Sequence, residues 1–341
     1  MLFLKKQKIL FTLLLLAMVF LFLVNISLGS VAIPLKEVVK GIFGQEMTKE
    51  SWEIILWNFR FPKAITAILV GIGLSMSGLL MQTLFRNPLA GPYVLGLSSG
   101  ASLGVAFVIL GTGLLPTYIA SFFLSSYGLV VASSLGAFLV LLAVLLVSRK
   151  LKDTMAILIV GLMFGSFTSA IVSVLSYFTT AEKLQKFTFW SMGSISNLTW
   201  QEISILSLLI FIGIAISFTV IKPLNALLLG EKYAQSIGIN YKKTRFLIIV
   251  ATSILAGSIT AFAGPIAFIG LAVPHMAKLL FRTSNHLVLF WSTLLLGALV
   301  MLVCDTIAQV PGNDITLPIN AITSVIGAPI VIWLLVRKKK F

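Results

Sequence analysis

The chain has 341 residues, of which 59% are hydrophobic and 10% charged, and its formal charge is +15. Soluble domains carry about 25% charged residues, so a chain this apolar cannot cover itself in water. A single cysteine, Cys304, excludes an intrachain disulfide and a cysteine metal cluster.

Lipid is the alternative solvent. There a spanning helix needs roughly 20 apolar residues, and backbone groups must pair within helices or a closed barrel. Barrel strands would alternate over about 10 residues. Runs such as Val130 to Val147 show no alternation, so the fold reads as an all-α polytopic membrane protein.

Taken from the N-terminus, Lys5, Lys6 and Lys8 precede an apolar run from Ile9 to Val24, the outline of a secretory signal peptide. The run is longer than a usual signal core and no clear A-x-A site follows, so it reads as a retained first helix. About ten spans are predicted, near 9–29, 62–84, 91–111, 118–147, 154–178, 201–221, 244–262, 265–281, 287–307 and 319–336. The helix near 118–147 is long enough to tilt or to project from the bilayer. Gly264-Pro265 and Pro274 interrupt the pair over 244–281.

Ten spans put both termini on one side, and that side carries 18 of the 25 basic residues. Excess Lys and Arg marks the cytoplasmic side, so both termini are expected in the cytoplasm. Because the basic residues sit in short loops between apolar runs, the charge reads as a topology signal and not as a nucleic-acid surface. No span-free stretch of domain size exists, so residues 1–341 read as one membrane domain. Ala90-Gly91-Pro92 with Leu95-Gly96-Leu97 is echoed by Ala263-Gly264-Pro265 with Ile269-Gly270-Leu271, as an inverted repeat would require.

Small residues recur every three or four positions. Gly96, Gly100 and Gly104 form one stripe, Gly161, Gly165, Ser169 and Ser173 a second, and Gly71, Ser75, Gly78 and Gln82 a third. Such stripes let helix backbones approach closely. The sharper reading is a translocation path, with Ser75, Gln82, Ser98, Ser99 and Ser102 as candidate lining. Ionisable residues inside spans would mark proton or ion relays. Asp305 is the one candidate, and it is expected near the outer end of its helix. His275 and His286, the latter expected in a loop, are too few for a metal site. No G-x-x-x-x-G-K-[ST] loop appears, so energy from ATP would need a separate subunit.

The inner loop 222–241 is the most informative segment. Asn225 is expected to cap a short helix, and Gly230 and Gly238 to stop helical turns. It is apolar enough to bury a face, yet it is flanked by Lys222, Lys242 and Lys243. Such a helix lies on lipid or docks into a protein groove.

These residues resemble the FecCD-type permeases of bacterial importers for iron–siderophores, haem and vitamin B12. The motifs are Arg86-Asn87-Pro88-Leu89-Ala90 with Pro92 and Leu95-Gly96, and Leu224-Asn225 with Leu229-Gly230-Glu231, Ala234 and Gly238. Gly264-Pro265-Ile266 with Val273-Pro274-His275, and Leu317-Pro318 with Ile326-Gly327-Ala328-Pro329, complete the set. The resemblance covers nearly the whole chain. It implies a type II importer fold in the bacterial cytoplasmic membrane. It also implies a coupling segment (Leu224, Asn225, Leu229, Gly230, Glu231, Ala234 and Gly238) seated on a cytoplasmic ATPase dimer. No cofactor would be held directly, with ATP and Mg used by that partner. A second permease subunit and a substrate-binding protein complete the implied assembly, with Arg60 and Lys63 at the outer docking mouth.

Departures accompany the likeness. Family members often carry Arg where Gln309 stands, Glu where Thr316 stands and Gly where Asn320 stands. A heterodimer whose other permease carries the missing Arg would account for the first. The implied cargo is a ferric siderophore, with haem or vitamin B12 as alternatives. An intramembrane enzyme lacks the needed G-x-S-x-G or H-E-x-x-H motif, and an ion-coupled transporter is poorly supplied, with few ionisable residues in the spans beyond Asp305.

Overall fold

The computed structural model describes residues 2–111, 125–148, 154–196, 198–310 and 315–337. Among them all regular structure is helical. Helix α1 (Leu2–Ser27) is followed by two short helices, α2 (Leu35–Ile42) and α3 (Glu50–Ile55). A π-helical turn, Leu56–Arg60, joins α3 to α4 (Phe61–Leu84), and a 3-10 turn, Pro92–Leu95, leads into α5 (Leu97–Ile109). Then come α6 (Ser126–Ser148), α7 (Thr154–Tyr177), α8 (Ala181–Ser191) and α9 (Trp200–Thr219). Two short helices, α10 (Ile221–Leu227) and α11 (Glu231–Ser236), precede α12 (Tyr241–Ala263), α13 (Ile269–Phe281), α14 (His286–Ala308) and α15 (Ile319–Arg337).

Each of the ten expected spans has a helical counterpart, although residues 118–124 of the fourth lie outside the described residues. Seven stretches are long and apolar enough to cross a membrane. The exceptions are α5, α13 and the apolar part of α15, Ile319–Trp333. Helices α5 and α13 have 13 residues each, about 20 Å of rise against a hydrocarbon core of about 30 Å. The apolar runs there are longer than the helices because the backbone breaks inside them. Gly96 sits at φ +77 and Phe268 at φ +66, immediately before α5 and α13. The sequence echo therefore has a local counterpart: an irregular stretch followed by a 13-residue helix, twice.

Helix starts follow ordinary capping chemistry. The Asn240 side chain accepts the Lys243 amide at 3.0 Å, and that of Asn285 accepts the Leu287 amide at 2.9 Å. At α9, Glu202 Oε2 accepts the Thr199 amide at 2.7 Å and Thr199 Oγ1 accepts the Glu202 amide at 3.3 Å, a reciprocal capping box. His286 is the first residue of α14 and buried, not the loop residue expected.

The chain forms two compact units. Residues 1–79, 194–208 and 267–341 make the first, and 80–193 with 209–266 the second. In the first unit, a Cβ on Gly71 would meet the Gly297 carbonyl, and one on Gly297 would meet the Gly71 carbonyl, so α4 and α14 touch backbone to backbone. Gly78 stands in the same relation to the Gly270 carbonyl. In the second unit Gly100 and Gly104 of α5 meet Gly136 and Ala132 of α6. Apolar packing completes that contact: Val105, Ala106, Ile109 and Leu110 are covered by Leu129, Val172, Leu175, Phe187 and Trp190. The small-residue stripes are in large part the joints of the helix packing.

Candidate functional site

In the first unit the polar side chains gather where α1, α4 and α14 meet. Asp305 lies in the last turn of α14, near its end as expected, and is buried at 1% exposure. Its Oδ2 accepts Asn25 Nδ2 at 2.9 Å and Gln309 Nε2 at 2.9 Å. Its Oδ1 lies 3.1 Å from Lys63 Nζ, an ion pair without hydrogen-bond alignment. Lys63 is itself 13% exposed. One cation and one anion thus cancel in a covered place, which repays their desolvation only while both remain. The neutral amide of Gln309 fits that balance, because an Arg there would leave the cluster with net positive charge. Asn25 escaped the sequence reading, for nothing in its neighbourhood announces a partner 280 residues away.

Arg60 closes the π-helical turn and points back at the end of α1. Its Nη1 donates to the carbonyls of Ile26 and Ser27, both at 2.7 Å, and its Nη2 donates to Val31. Carbonyls at a helix C-terminus lack intrahelical partners, and a guanidinium offers five donors in a rigid fork. Both expected docking cations are therefore engaged within the chain. They still line an open cavity of about 340 Å³ together with Ile55, Phe59, Gln309 and Thr316. Asn320, where the resemblance expects Gly, supports the backbone: its Oδ1 accepts the Ala267 amide at 2.9 Å, satisfying the irregular stretch before α13.

Of the path candidates, Ser75 and Gln82 are buried inside the chain, while Ser98, Ser99 and Ser102 are partly exposed. Ser99 faces Gly165 of α7, whose absent Cβ would lie 3.3 Å from the Ser99 hydroxyl. Ser166, Ser169 and Ser173 of α7 are at least partly exposed. Among the described residues no cluster of His, Cys, Asp and Glu could hold a metal.

In the second unit, residues 222–241 form two helices around a glycine break. Gly230 sits at φ +125 between α10 and α11, and Gly238 at φ +87 after α11, as expected of both. Asn225 lies inside α10 and does not cap it, since the helix begins earlier and its N-cap is Val220. Leu224 and Ala234 pack inward, at 2% and 0% exposure. Leu228, Leu229, Tyr233 and Ile237 face outward, an apolar row beside the partly exposed Glu231. Of that row the motif had pointed to Leu229 alone. Arg86 reaches the segment from the end of α4, and its Nη2 donates to the Leu227 carbonyl at 2.9 Å.

A model of the FecCD transport family matches residues 15–337. The chain belongs to that family. Among relatives, the vitamin B12 import system permease protein BtuC of Citrobacter koseri is 35% identical over 84% of each chain. Its counterpart from Salmonella typhimurium is 36% identical over 84% of this chain and 85% of that one. A solved transporter assigned to the metal-chelate type of ABC transporters, in an inward-facing conformation, superposes with a TM-score of 0.84 at 29% identity. The match covers 97% of this chain and 99% of that one. PsaBC from Streptococcus pneumoniae, in complex with Fab, matches with a TM-score of 0.55 at 14% identity over 89% and 95%, a likeness of fold alone. This FecCD chain is thus a permease subunit of an ABC importer and a multi-pass protein of the cytoplasmic membrane. ABC importer permease architecture implies an ATPase and a second permease subunit.

Proposed function

We propose that this permease carries a ferric siderophore across the cytoplasmic membrane, driven by an ATPase dimer seated on residues 222–241. The observation that carries the reading is the outward apolar row Leu228, Leu229, Tyr233 and Ile237 on helices held from behind by Leu224 and Ala234. Exposed apolar surface of this kind on a membrane protein's loop calls for a protein groove. ATP and Mg belong to that partner, and ATP binding shifts the permease between states only through differential affinity for them. A binding protein delivers the cargo at the outer cavity lined by Arg60, Lys63 and Gln309, and a second permease, favoured here as a sister chain, completes the path. Support for an iron chelate comes from the full-length likeness to a metal-chelate type transporter.

Vitamin B12 is the second reading, favoured by the curated relatives at 35% and 36% identity. The two separate in proteoliposomes holding the whole complex. Radioiron on a hydroxamate siderophore should accumulate only with ATP inside, while labelled cyanocobalamin stays out. Accumulation of cyanocobalamin alone refutes the iron reading. Uptake of either that survives without ATP but collapses with the membrane potential refutes the ATPase reading.

A further inference from the structure

Helix α4 ends in an uncommon way. The Asn87 amide donates to the Gln82 carbonyl at 3.2 Å and the Arg86 amide to that of Thr83 at 3.3 Å. This closing turn leaves its C′ residue left-handed, a place usually given to glycine. Here it is Arg86, at φ +47. A strained side chain at such a place persists when something else holds it there.

The holder is visible in the structure. The guanidinium donates to the carbonyl of Leu227, the last residue of α10, across 141 residues of sequence. Leu227 also accepts the Gly230 amide at 3.2 Å, so its carbonyl is the hinge point between α10 and α11. A Cβ on Gly230 would lie 3.2 Å from Arg86 Nη2. The glycine thus supplies both the backbone angle and the room for the guanidinium. Beyond this point the segment is held by Leu224 and Ala234, while Leu228 and Leu229 face out of the chain.

We infer that Arg86 is the positioning residue through which a push on α10 and α11 reaches the last turn of α4. A charge-assisted hydrogen bond is about twice as strong as a neutral one. It makes a firm link at the Leu227 carbonyl, where α10 gives way to the turn before α11. The inference rests on the reading of residues 222–241 as the ATPase seat.

Arg86→Gly tests it, because glycine relieves the left-handed backbone and removes only the tether. Arg86→Asn, which also tolerates that backbone, guards against an effect of added chain flexibility. In the purified full chain in lipid nanodiscs, amide exchange over residues 228–238 should rise about tenfold in both variants, with other helices unchanged. In proteoliposomes containing the whole importer, radioiron siderophore or cyanocobalamin, whichever the wild type accumulates, should enter with at least about fivefold less uptake per ATP hydrolysed. Wild-type exchange over 228–238, or a wild-type uptake ratio, in both variants overturns the inference. A separate arm addresses its premise. Leu229→Cys should cross-link to a cysteine in the ATPase. Failure of that cross-link sinks the ATPase seat and Arg86's coupling role with it. A successful cross-link with unchanged exchange sinks the tether alone.

Discussion

Replacing Asp305 with alanine removes the acceptor of two amide hydrogen bonds and the counter-charge of Lys63 at once. Asn25 Nδ2 and Gln309 Nε2 lose partners at 2.9 Å, and Lys63 loses an anion 3.1 Å away. Hydrogen bonds to a charged group contribute about 1.5–3 kcal/mol each. Breaking a covered ion pair by removing one side costs about 3–5 kcal/mol, because the other charge is left without compensation. Lys63 keeps some access to solvent, so the lower end, about 3 kcal/mol, applies to Asp305→Ala. Lys63→Ala costs less, about 2 kcal/mol, since the Asp305 carboxylate retains two amide donors. The double variant leaves no orphan charge and should lose about 1–3 kcal/mol less than the two singles added together. With roughly 2 °C of melting temperature per kcal/mol in a chain of this size, Asp305→Ala should melt about 6 °C lower. Tryptophan fluorescence during heating in detergent reads this. Singles that add within about 0.5 kcal/mol, or Asp305→Ala melting within about 1 °C of wild type, refute the cluster as a coupled unit.

Gly71→Ala should cost about 2 kcal/mol and reduce the monodisperse fraction on size exclusion, because its Cβ meets the Gly297 backbone. Gly257→Ala, in open space within α12, should instead be neutral or stabilise by up to about 1 kcal/mol, and a loss there contradicts the steric account. Glu37 accepts Lys40 Nζ at 2.7 Å and the Thr48 amide at 2.8 Å, and these bonds hold its carboxyl down at about 2, against an ordinary 4.5. A depressed carboxyl pKa stabilises fully above about 4.5 and loses that effect as pH falls through about 2. Pepsin should therefore leave residues 43–48 intact near pH 5 and cut them near pH 2, and equal cutting at both argues against the clasp. Leu229→Asp should weaken ATPase capture by the solubilised permease at least about tenfold, as burying an unpaired charge in a groove would, whereas unchanged capture removes Leu229 from the seat.

Much of the fold was legible because a span's length and apolarity are properties of consecutive residues. Misses arose where backbone breaks lie inside apolar runs: Gly96 and Phe268 shorten α5 and α13 without changing hydropathy. The motif at 224–238 pointed to the segment, yet motif matches do not tell inward from outward. Leu224 and Ala234 turned out to hold the segment, and Leu228, Tyr233 and Ile237, which the motif does not include, to face out.

Composition and local pattern alone were enough for lipid as the solvent, for helices as the elements, for their order and for the importer family. What they left open was partnership: that Lys63 is matched by Asp305, that Arg60 serves the end of α1, and that Arg86 at the end of α4 holds the Leu227 carbonyl. Hydropathy and turn signals act over a few residues, whereas a buried charge or carbonyl is satisfied by whichever donor the packed chain brings within about 3 Å. Glycine-tight helix contacts and left-handed helix ends set that approach, and these exist only once the chain has folded.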